Sequence, residues 1–206
     1  MGSMGVRSWL KPRVQDLLMR GMNDLRPDTV SLASGEVLEV GFGTALNLRY
    51  YGPDVKAVTG LDPMVTDRMQ AVDDRIASAS FPVVRTELRA DGELPFDEGR
   101  FDTVVTTWTL CSIRDARAAL QEMRRVLKPG GKYVFIEHGR SQNEGTARWQ
   151  DRLNPIWLAV TGECNINRRI DEVVEDGGFE LSSMDRFLGD GPKILATLYR
   201  GVATKA

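Results

Sequence analysis

The side chains best suited to chemistry stand where short apolar runs of the sequence end. Glu39 lies in the run that ends at the glycine pair Gly41 and Gly43, and Asp62 closes the next run about twenty residues later. His138, the only histidine, follows a later run. If these runs are parallel strands, their carboxyl ends meet at one edge of a sheet, where such sheets bind ligands. The polar and aromatic residues at these ends are Glu39, Asp62, Asp91, Thr107, Trp108, Glu137 and His138.

The glycine loop departs from the fingerprint of a dinucleotide site. That fingerprint uses a third glycine for close packing of the helix on the strand, and Leu46 stands at this position. Glu39 would repel a diphosphate, whereas Asp62 has the spacing of a carboxylate that binds ribose hydroxyl groups. A ligand with a ribose, a positive centre and no phosphate fits better, and S-adenosylmethionine is such a ligand. Two structural alternatives stay open: Glu39 is only a charge at a strand end, or Asp62 caps the following helix.

Apolar runs alternate with helical patterns along the chain, which predicts parallel βαβ units. A helix over 14–26 is predicted to stop at Pro27, and another helix to follow Gly43 as far as about Tyr51. The predicted fold class is therefore α/β: a doubly wound, mostly parallel Rossmann-like sheet with a C-terminal antiparallel hairpin at one edge. The predicted strands occupy residues 37–40, 55–61, 81–88, 101–107, 132–137, 179–188 and 193–202, and further helices occupy 64–79, 114–127 and 168–176.

The length of 206 residues is typical of a single domain, so residues 1–206 are expected to form one unit. Residues 1–30 are predicted to be an N-terminal helical cover, and residues 139–170 a lid-like insert with one helix. Trp149 and Trp157 are interpreted as core residues of that helix. Arg26 is interpreted as a solvated surface charge.

The composition argues against several classes of function. Lys and Arg total 27 against 29 for Asp and Glu, and the net charge of −2 offers no basic surface for nucleic acid. Cys111 and Cys164 are the only cysteines and lie far apart in sequence, so neither a disulfide framework nor a metal site is predicted. No apolar run approaches the roughly 20 residues of a membrane span, and no secretory signal opens the chain. We therefore expect a cytoplasmic protein without an integral membrane segment.

Eight short motifs follow one another along the chain. They are VLEVGFGT at 37–44, TGLDP at 59–63, LPF at 94–96, FD at 101–102, WTLCSI at 108–113, LKPGG at 127–131, FIEHG at 135–139 and WQDRLNP at 149–155. The joint order of five of them, at 37–44, 59–63, 94–96, 101–102 and 127–131, resembles class I S-adenosylmethionine-dependent methyltransferases, and more narrowly the type 11 methyltransferase domain. The resemblance runs from about residue 30 to the end. At 108–113, 135–139 and 149–155 the sequence is similar in detail to small bacterial relatives of the methyltransferase-like thiol methyltransferases.

This resemblance implies that S-adenosylmethionine donates a methyl group to a small or lipophilic acceptor, with a thiol as the first expectation. In the implied site the glycine loop lies along the methionine and ribose, Asp62 holds the ribose, and residues 90–91 border the adenine. The sequence departs from the family at Ala45, where a further glycine is usual, and at 162–165, which reads GECN where the relatives have a Gly-Gly-Cys-His-like stretch. The implied cofactor-binding residues are Glu39, Gly41, Phe42, Gly43, Asp62, Pro63, Ala90, Asp91, Thr107 and Trp108.

His138 is the candidate catalytic base, since the proton of a thiol, phenol or ammonium acceptor must leave. A purely structural hydrogen bond to a loop is the alternative for this residue. Three other functions stay open: phospholipid N-methylation, an NAD-dependent oxidoreductase, which Glu39 disfavours, and cofactor binding without catalysis. The amphipathic segment 6–26 would allow weak association with a membrane surface, although packing over the cofactor site is preferred. The expected partner is a small-molecule acceptor and not nucleic acid.

Overall fold

The computed structural model describes residues 19–62, 70–88, 92–161 and 164–205. Seven strands form its sheet: β1 Gly35–Val40, β2 Val55–Asp62, β3 Val83–Glu87, β4 Phe101–Thr107, β5 Leu127–His138, β6 Glu180–Leu188 and β7 Thr197–Thr204. The strand order is β3-β2-β1-β4-β5-β7-β6. Strands β1 to β5 pair in parallel, whereas β7 is antiparallel to both β5 and β6. The predicted fold class is confirmed, including the antiparallel hairpin at the C-terminal edge.

The described residues also form five α-helices and two 3₁₀ helices. The α-helices are α1 Pro27–Val30, α2 Gln70–Ala77, α3 Ala116–Val126, α4 Glu144–Thr161 and α5 Ile170–Asp176, and 3₁₀ turns occupy Met19–Leu25 and Leu48–Tyr50. Helix α3 begins where the Asp115 side chain accepts a hydrogen bond from the backbone N–H of Ala118. Such a cap satisfies one of the donors that the first helical turn leaves unpaired.

Two apolar clusters cover the two faces of the sheet. Along β1, Leu38 belongs to one cluster and Val37 to the other, and along β4 the same holds for Val104 and Val105. This alternation follows from the two-residue period of a strand, which sends successive side chains to opposite faces. Both faces of β1 and β4 are therefore buried, so their polar chemistry is confined to the strand ends.

One local prediction is wrong and one is incomplete. The segment after Gly43 forms turns and the short 3₁₀ turn instead of an α-helix, because its side chains Asn47 and Tyr51 both reach inward to the same buried carboxylate. The helix predicted over 14–26 does end before Pro27, as the 3₁₀ helix Met19–Leu25, but Pro27 itself begins α1, which suits a residue whose missing N–H is not needed in a first turn. The part of the predicted cover before residue 19 lies outside the described residues.

The strand order reverses between β1 and β4, because β2 lies outside β1 on one side and β5 lies outside β4 on the other. Loops therefore diverge from the carboxyl ends of β1 and β4 and leave a crevice between them. Open α/β sheets bind their ligands at such a switch point. The glycine loop and Trp108 both begin at this crevice.

Candidate cofactor and active site

The two glycines of the loop after β1 serve different purposes. Gly41 and Gly43 have φ angles of +81° and +54°, values that favour glycine. A Cβ atom on Gly41 would lie 2.1 Å from Oγ1 of Thr109, so this glycine lets the loop after β4 pack closely. Among the described residues, a Cβ atom on Gly43 would meet nothing nearer than 3.9 Å. Only the second glycine thus leaves open space in which a ligand could approach the backbone.

Asp62 is tied directly to this loop. Its Oδ2 accepts a hydrogen bond of 2.7 Å from the backbone N–H of Gly43. Burial raises the pKa of Asp62 to about 6, against the opposing effects of that hydrogen bond and of Arg85. The carboxylate therefore stands beside the open glycine, at the end of β2, where the spacing predicts a ribose-binding acid. Three other predicted residues, Pro63, Ala90 and Asp91, lie outside the described residues.

Glu39 is buried at 1% exposure and not solvated. Its two carboxylate oxygens accept hydrogen bonds from Asn47 Nδ2 at 2.8 Å and from the Tyr51 hydroxyl at 2.7 Å. Burial raises the pKa of Glu39 to about 7, while Tyr51, the positive charge of Arg26 and Asn47 all act to lower it. Sequence analysis missed Asn47 and Tyr51, because no spacing rule connects a strand-end acid with polar groups in a following irregular turn.

Arg26 joins the loops after β1 and β4. It is 4% exposed and donates hydrogen bonds to Asn47 Oδ1 and to Thr107 Oγ1, so its assignment as a solvated charge is wrong. Its guanidinium carbon also lies 4.8 Å from the ring centroid of Trp108, a cation–π distance. One face of this indole is therefore already in contact with a cation. The described part of the N-terminal segment thus reaches the crevice.

Trp108 turns the chain sharply at the end of β4. Its φ angle of +52° is unusual for a bulky residue, and its backbone N–H donates to the carbonyl of Ile136 at 2.8 Å. Within the described ranges, its indole nitrogen is buried and has no hydrogen-bond partner. A buried donor without a partner costs free energy unless a ligand satisfies it. Sequence analysis placed this residue at the crevice, and the structure adds the unsatisfied donor.

Phe42 and Ala45 support the loop from inside the protein. The Phe42 ring is buried and packs on Gly60 of β2, where any Cβ atom would lie only 2.4 Å from the ring. Ala45 is also buried and has a φ angle of +62°. A left-handed backbone favours glycine, the residue that the resemblance to the family leads one to expect at this position. Both side chains contribute to packing, and only their backbone is available for a ligand.

The loop after β4 is fixed by a second buried carboxylate. Glu137 is 0% exposed and accepts hydrogen bonds of 3.1 Å from the backbone N–H groups of Thr109 and Cys111. Burial raises the pKa of this carboxyl group. Its neighbour His138 is half-buried at the end of β5 and shares a hydrogen bond with Cys111. Glu137 thus positions the loop that carries Trp108, a role that its place in the sequence alone did not indicate.

The structure brings together the two cysteines that the sequence separates. The sulfur atoms of Cys111 and Cys164 lie 3.6 Å apart across 53 positions of sequence. Trp157 hydrogen-bonds to Cys164, and Arg168 lies close enough to interact electrostatically with both sulfurs. The hydrogen bond with Cys111, the one with Trp157 and the Arg168 charge lower the pKa of Cys164. By contrast, Trp149 is 56% exposed, so its assignment to the core is wrong.

Comparison with known proteins identifies the family to which this chain belongs. Residues 38–135 match the sequence profile of the family described as a methyltransferase domain. The human thiol S-methyltransferase TMT1B is 33% identical over 179 residues, which cover 79% of this chain and 70% of the human protein. The chain belongs to the class I S-adenosylmethionine-dependent methyltransferases. This methyltransferase is also 33% identical to a phosphatidylethanolamine N-methyltransferase of Cereibacter sphaeroides, over 110 residues that cover 53% of each chain.

Solved structures agree on the fold. A methyltransferase-like protein from Bacillus halodurans, 17% identical, superimposes with a TM-score of 0.68 over 89% of this chain and 98% of its own. The enzyme is thus an S-adenosylmethionine-dependent methyltransferase with a Rossmann-like fold. Among the described residues, no helix has the length and apolar character needed to cross a membrane.

The crevice fits this cofactor chemically. S-adenosylmethionine carries a sulfonium, an ammonium group and a ribose, and the crevice offers the carboxylate of Asp62 beside the open backbone at Gly43. The unsatisfied indole donor of Trp108 lies at the opposite loop. Among the described residues, two arginines near the glycine loop are already engaged: Arg26 donates to Asn47 and Thr107, and Arg75 donates to the carbonyl of Thr44. The donor set therefore suits a cationic nucleoside better than a dinucleotide.

Proposed function

We propose that this methyltransferase methylates the sulfur atom of a small, lipophilic thiol. The observation that carries the proposal is the similarity to the human thiol S-methyltransferase, which extends over 79% of the chain and so beyond the matched methyltransferase profile. The segment after β5, residues 139–170, contains α4 and reaches the crevice through Cys164. An acceptor-binding role for it, as a lid-like insert, is part of the proposal.

The chain's own residues have separate tasks in this proposal. Asp62 binds the ribose hydroxyl groups, and Gly43 lets the ligand approach the backbone. Glu39 acts from the interior. It accepts hydrogen bonds from Asn47 and Tyr51 and thereby holds the glycine loop in place. Its negative charge also favours binding of the ammonium and sulfonium groups of the cofactor. Thr107 and Trp108 close the side of the crevice next to β4. When bound, S-adenosylmethionine supplies an activated methyl group, and holding both reactants in line can contribute roughly 7–11 kcal/mol to the rate.

Helix α4 has an exposed apolar face, which in this proposal borders the path of the acceptor. Trp149 and Ile156 of α4 are 56% and 62% exposed, which is unusual for two large apolar side chains on one helix. One helical repeat of seven residues separates them, so they lie on the same face. This exposed apolar face is an argument for a lipophilic acceptor. The proton of the acceptor thiol leaves at the carboxyl edge of the sheet, where His138 lies.

Phospholipid N-methylation is the second candidate. It is supported by the similarity to the phosphatidylethanolamine N-methyltransferase, which covers only about half of this chain. The exposed apolar face of α4 would also suit a membrane surface. A cytoplasmic location with weak surface association belongs to the same proposal, and fractionation of cells that express the full chain tests it.

The experiment is a methyl-transfer assay with matched acceptors. The purified chain is incubated with S-adenosylmethionine and either octanethiol, octanol or phosphatidylethanolamine vesicles, and S-adenosylhomocysteine is measured. We expect product with the thiol and none with the alcohol of the same length. Methylation of the vesicles without methylation of the thiol would replace this proposal with the second candidate, and product from neither would refute both.

A further inference from the structure

The three side chains Cys111, His138 and Cys164 form a compact cluster at the carboxyl edge of the sheet. Their potential ligand atoms, two sulfurs and an imidazole nitrogen, all lie within 4.8 Å of one another. Two sulfurs bound to one tetrahedral Zn²⁺ ion at about 2.3 Å would be about 3.8 Å apart. The observed separation of 3.6 Å is close to that value and far longer than a disulfide bond.

We propose that Cys111, His138 and Cys164 bind one Zn²⁺ ion, and that its fourth coordination position takes the acceptor thiol. Three protein ligands with one open position are the pattern of catalytic zinc sites, whereas structural sites are closed by four protein ligands. Thiolate and imidazole are also the ligands that zinc prefers. The second half of the proposal rests on the proposed function, and the first half does not.

The fold holds the two cysteine segments against each other. The backbone N–H of Asn165 and its side-chain amide both donate to the carbonyl of Cys111, at 2.9 and 3.1 Å. Arg168 donates to the carbonyls of Leu110 and Ile113. On the other side, Glu137 accepts from the backbone N–H of Cys111. The sulfur positions are therefore set by several hydrogen bonds across a long sequence separation, which is what a preorganised metal site requires.

The indole N–H of Trp157 and the guanidinium of Arg168 act on Cys164 and favour a negative charge on its sulfur. The hydrogen bond with Cys164, burial and the Glu137 carboxylate raise the pKa of Cys111, so the thiolate form of Cys111 depends on the metal. The positive charge of Arg168 faces the same two sulfurs and the Glu137 carboxyl group. Donors to a metal-bound sulfur fix its orientation and tune the metal. Two thiolates and one neutral imidazole around a divalent ion give a net charge of zero, which suits a largely buried site.

The exposure of the three ligand residues indicates which way the open coordination position faces. Cys111 is buried at 1% exposure, whereas His138 and Cys164 are both half-buried. The fourth position therefore opens away from Cys111, toward the accessible side of the crevice. A thiol that binds there releases its proton to water and coordinates as a thiolate. The thiolate lone pair then forms the new sulfur–carbon bond while the methyl–sulfonium bond breaks and its electron pair stays on S-adenosylhomocysteine.

In this arrangement His138 acts as a metal ligand, and the metal instead of a free imidazole promotes loss of the thiol proton. Replacement of His138 then lowers metal content and thiol methylation together. If His138 were only a base, its replacement would lower the rate of methylation and leave the metal content unchanged. This difference separates the two roles of the same residue.

The test begins with the purified full chain kept under reducing conditions. After removal of all metal with a chelator, the chain is loaded with Zn²⁺ or Co²⁺. Bound metal is then measured by inductively coupled plasma mass spectrometry. We expect one ion per chain, and a sulfur-to-cobalt charge-transfer absorption with Co²⁺. Cys164→Ser and His138→Gln should each lose most of the bound metal, whereas the control Ser183→Ala, exposed on β6, should keep it.

Further measurements test the metal site and its open position separately. Thermal unfolding of the metal-free variants shows whether they are folded, and the wild-type measurement does not depend on any variant. Adding 2-mercaptoethanol should shift the cobalt spectrum, and 1,2-ethanediol should not. A reduced, folded wild-type chain that binds neither ion, or a Cys111–Cys164 disulfide in the purified protein, would overturn the metal site. Bound cobalt whose spectrum ignores the thiol would overturn the open position only, and the methyl-transfer assay judges the proposed function separately.

Discussion

Replacement of Asp62 by Asn tests the cofactor site most directly. Asn retains a carbonyl oxygen that can accept the 2.7 Å hydrogen bond from Gly43, so the loop should keep its shape. What is lost is the negative charge toward the ribose. A hydrogen bond to a charged group contributes about 1.5–3 kcal/mol, which corresponds to about 10- to 150-fold in the dissociation constant. We expect the dissociation constant of S-adenosylhomocysteine to rise by this factor at about pH 8.

The pH dependence sharpens this prediction. Because burial raises the pKa of Asp62 to about 6, the wild-type carboxyl group is almost fully ionised at about pH 8 and about nine-tenths protonated at about pH 5. The advantage of the wild type over Asp62→Asn should therefore shrink about tenfold between these two values. The comparison uses the ratio of the two dissociation constants, so that titration of the ligand, which is the same for both proteins, cancels.

Isothermal titration calorimetry at several pH values provides the measurement. Asp54→Asn is the matched control, since Asp54 is exposed at the opposite end of β2, and it should bind like the wild type throughout. A ratio near one at about pH 8 would remove Asp62 from the site. A large ratio that does not change with pH would mean that the Asp62 carboxylate acts through the loop and not through its charge.

Three further predictions concern stability and the acceptor. Gly60→Ala places a Cβ atom 2.4 Å from the Phe42 ring, and we expect a loss of about 1–3 kcal/mol in the free energy of unfolding, measured with urea; the control Gly52→Ala has no contact nearer than 3.8 Å. Burial raises the pKa of Glu39 from 4.5 to about 7, so the folded state keeps a proton that the unfolded chain releases. The wild type should therefore lose about 3 kcal/mol as pH rises through that interval, and Glu39→Gln should lack this part of the pH dependence of urea unfolding. If the exposed apolar face of α4 borders the acceptor path, as proposed, Trp149→Ser should raise the KM for octanethiol several-fold and leave that for 2-mercaptoethanol unchanged, because only the longer chain would extend to Trp149.

Each of these predictions has an outcome that contradicts it. Equal unfolding midpoints for Gly60→Ala and Gly52→Ala would mean that the Phe42 ring can move aside at no cost. Parallel stability curves for wild type and Glu39→Gln across the pH range would show that the buried carboxyl group does not titrate there. Equal changes in KM for the long and the short thiol would place Trp149 outside the acceptor path.

The sequence by itself determined the sheet and the location of the crevice. The strands β1, β2 and β4 were predicted within two residues of their observed bounds, because runs of buried apolar residues are a local signal. The glycine loop and Asp62 were also found from spacing, since short-range geometry fixes which residues follow a strand. The resemblance to methyltransferases rested on the same local motifs, and comparison with known proteins confirmed it.

Only the tertiary structure decided what surrounds those residues. Glu39 is a buried acid because Arg26 arrives from the N-terminal segment and Tyr51 from a turn that the sequence predicted as a helix. Cys111 and Cys164 meet because the segment after α4 is hydrogen-bonded back to the loop after β4. These contacts join parts of the chain with no common periodicity or spacing. Their energies depend on burial and on the direction of hydrogen bonds, which arise only when the sheet has brought the loops together.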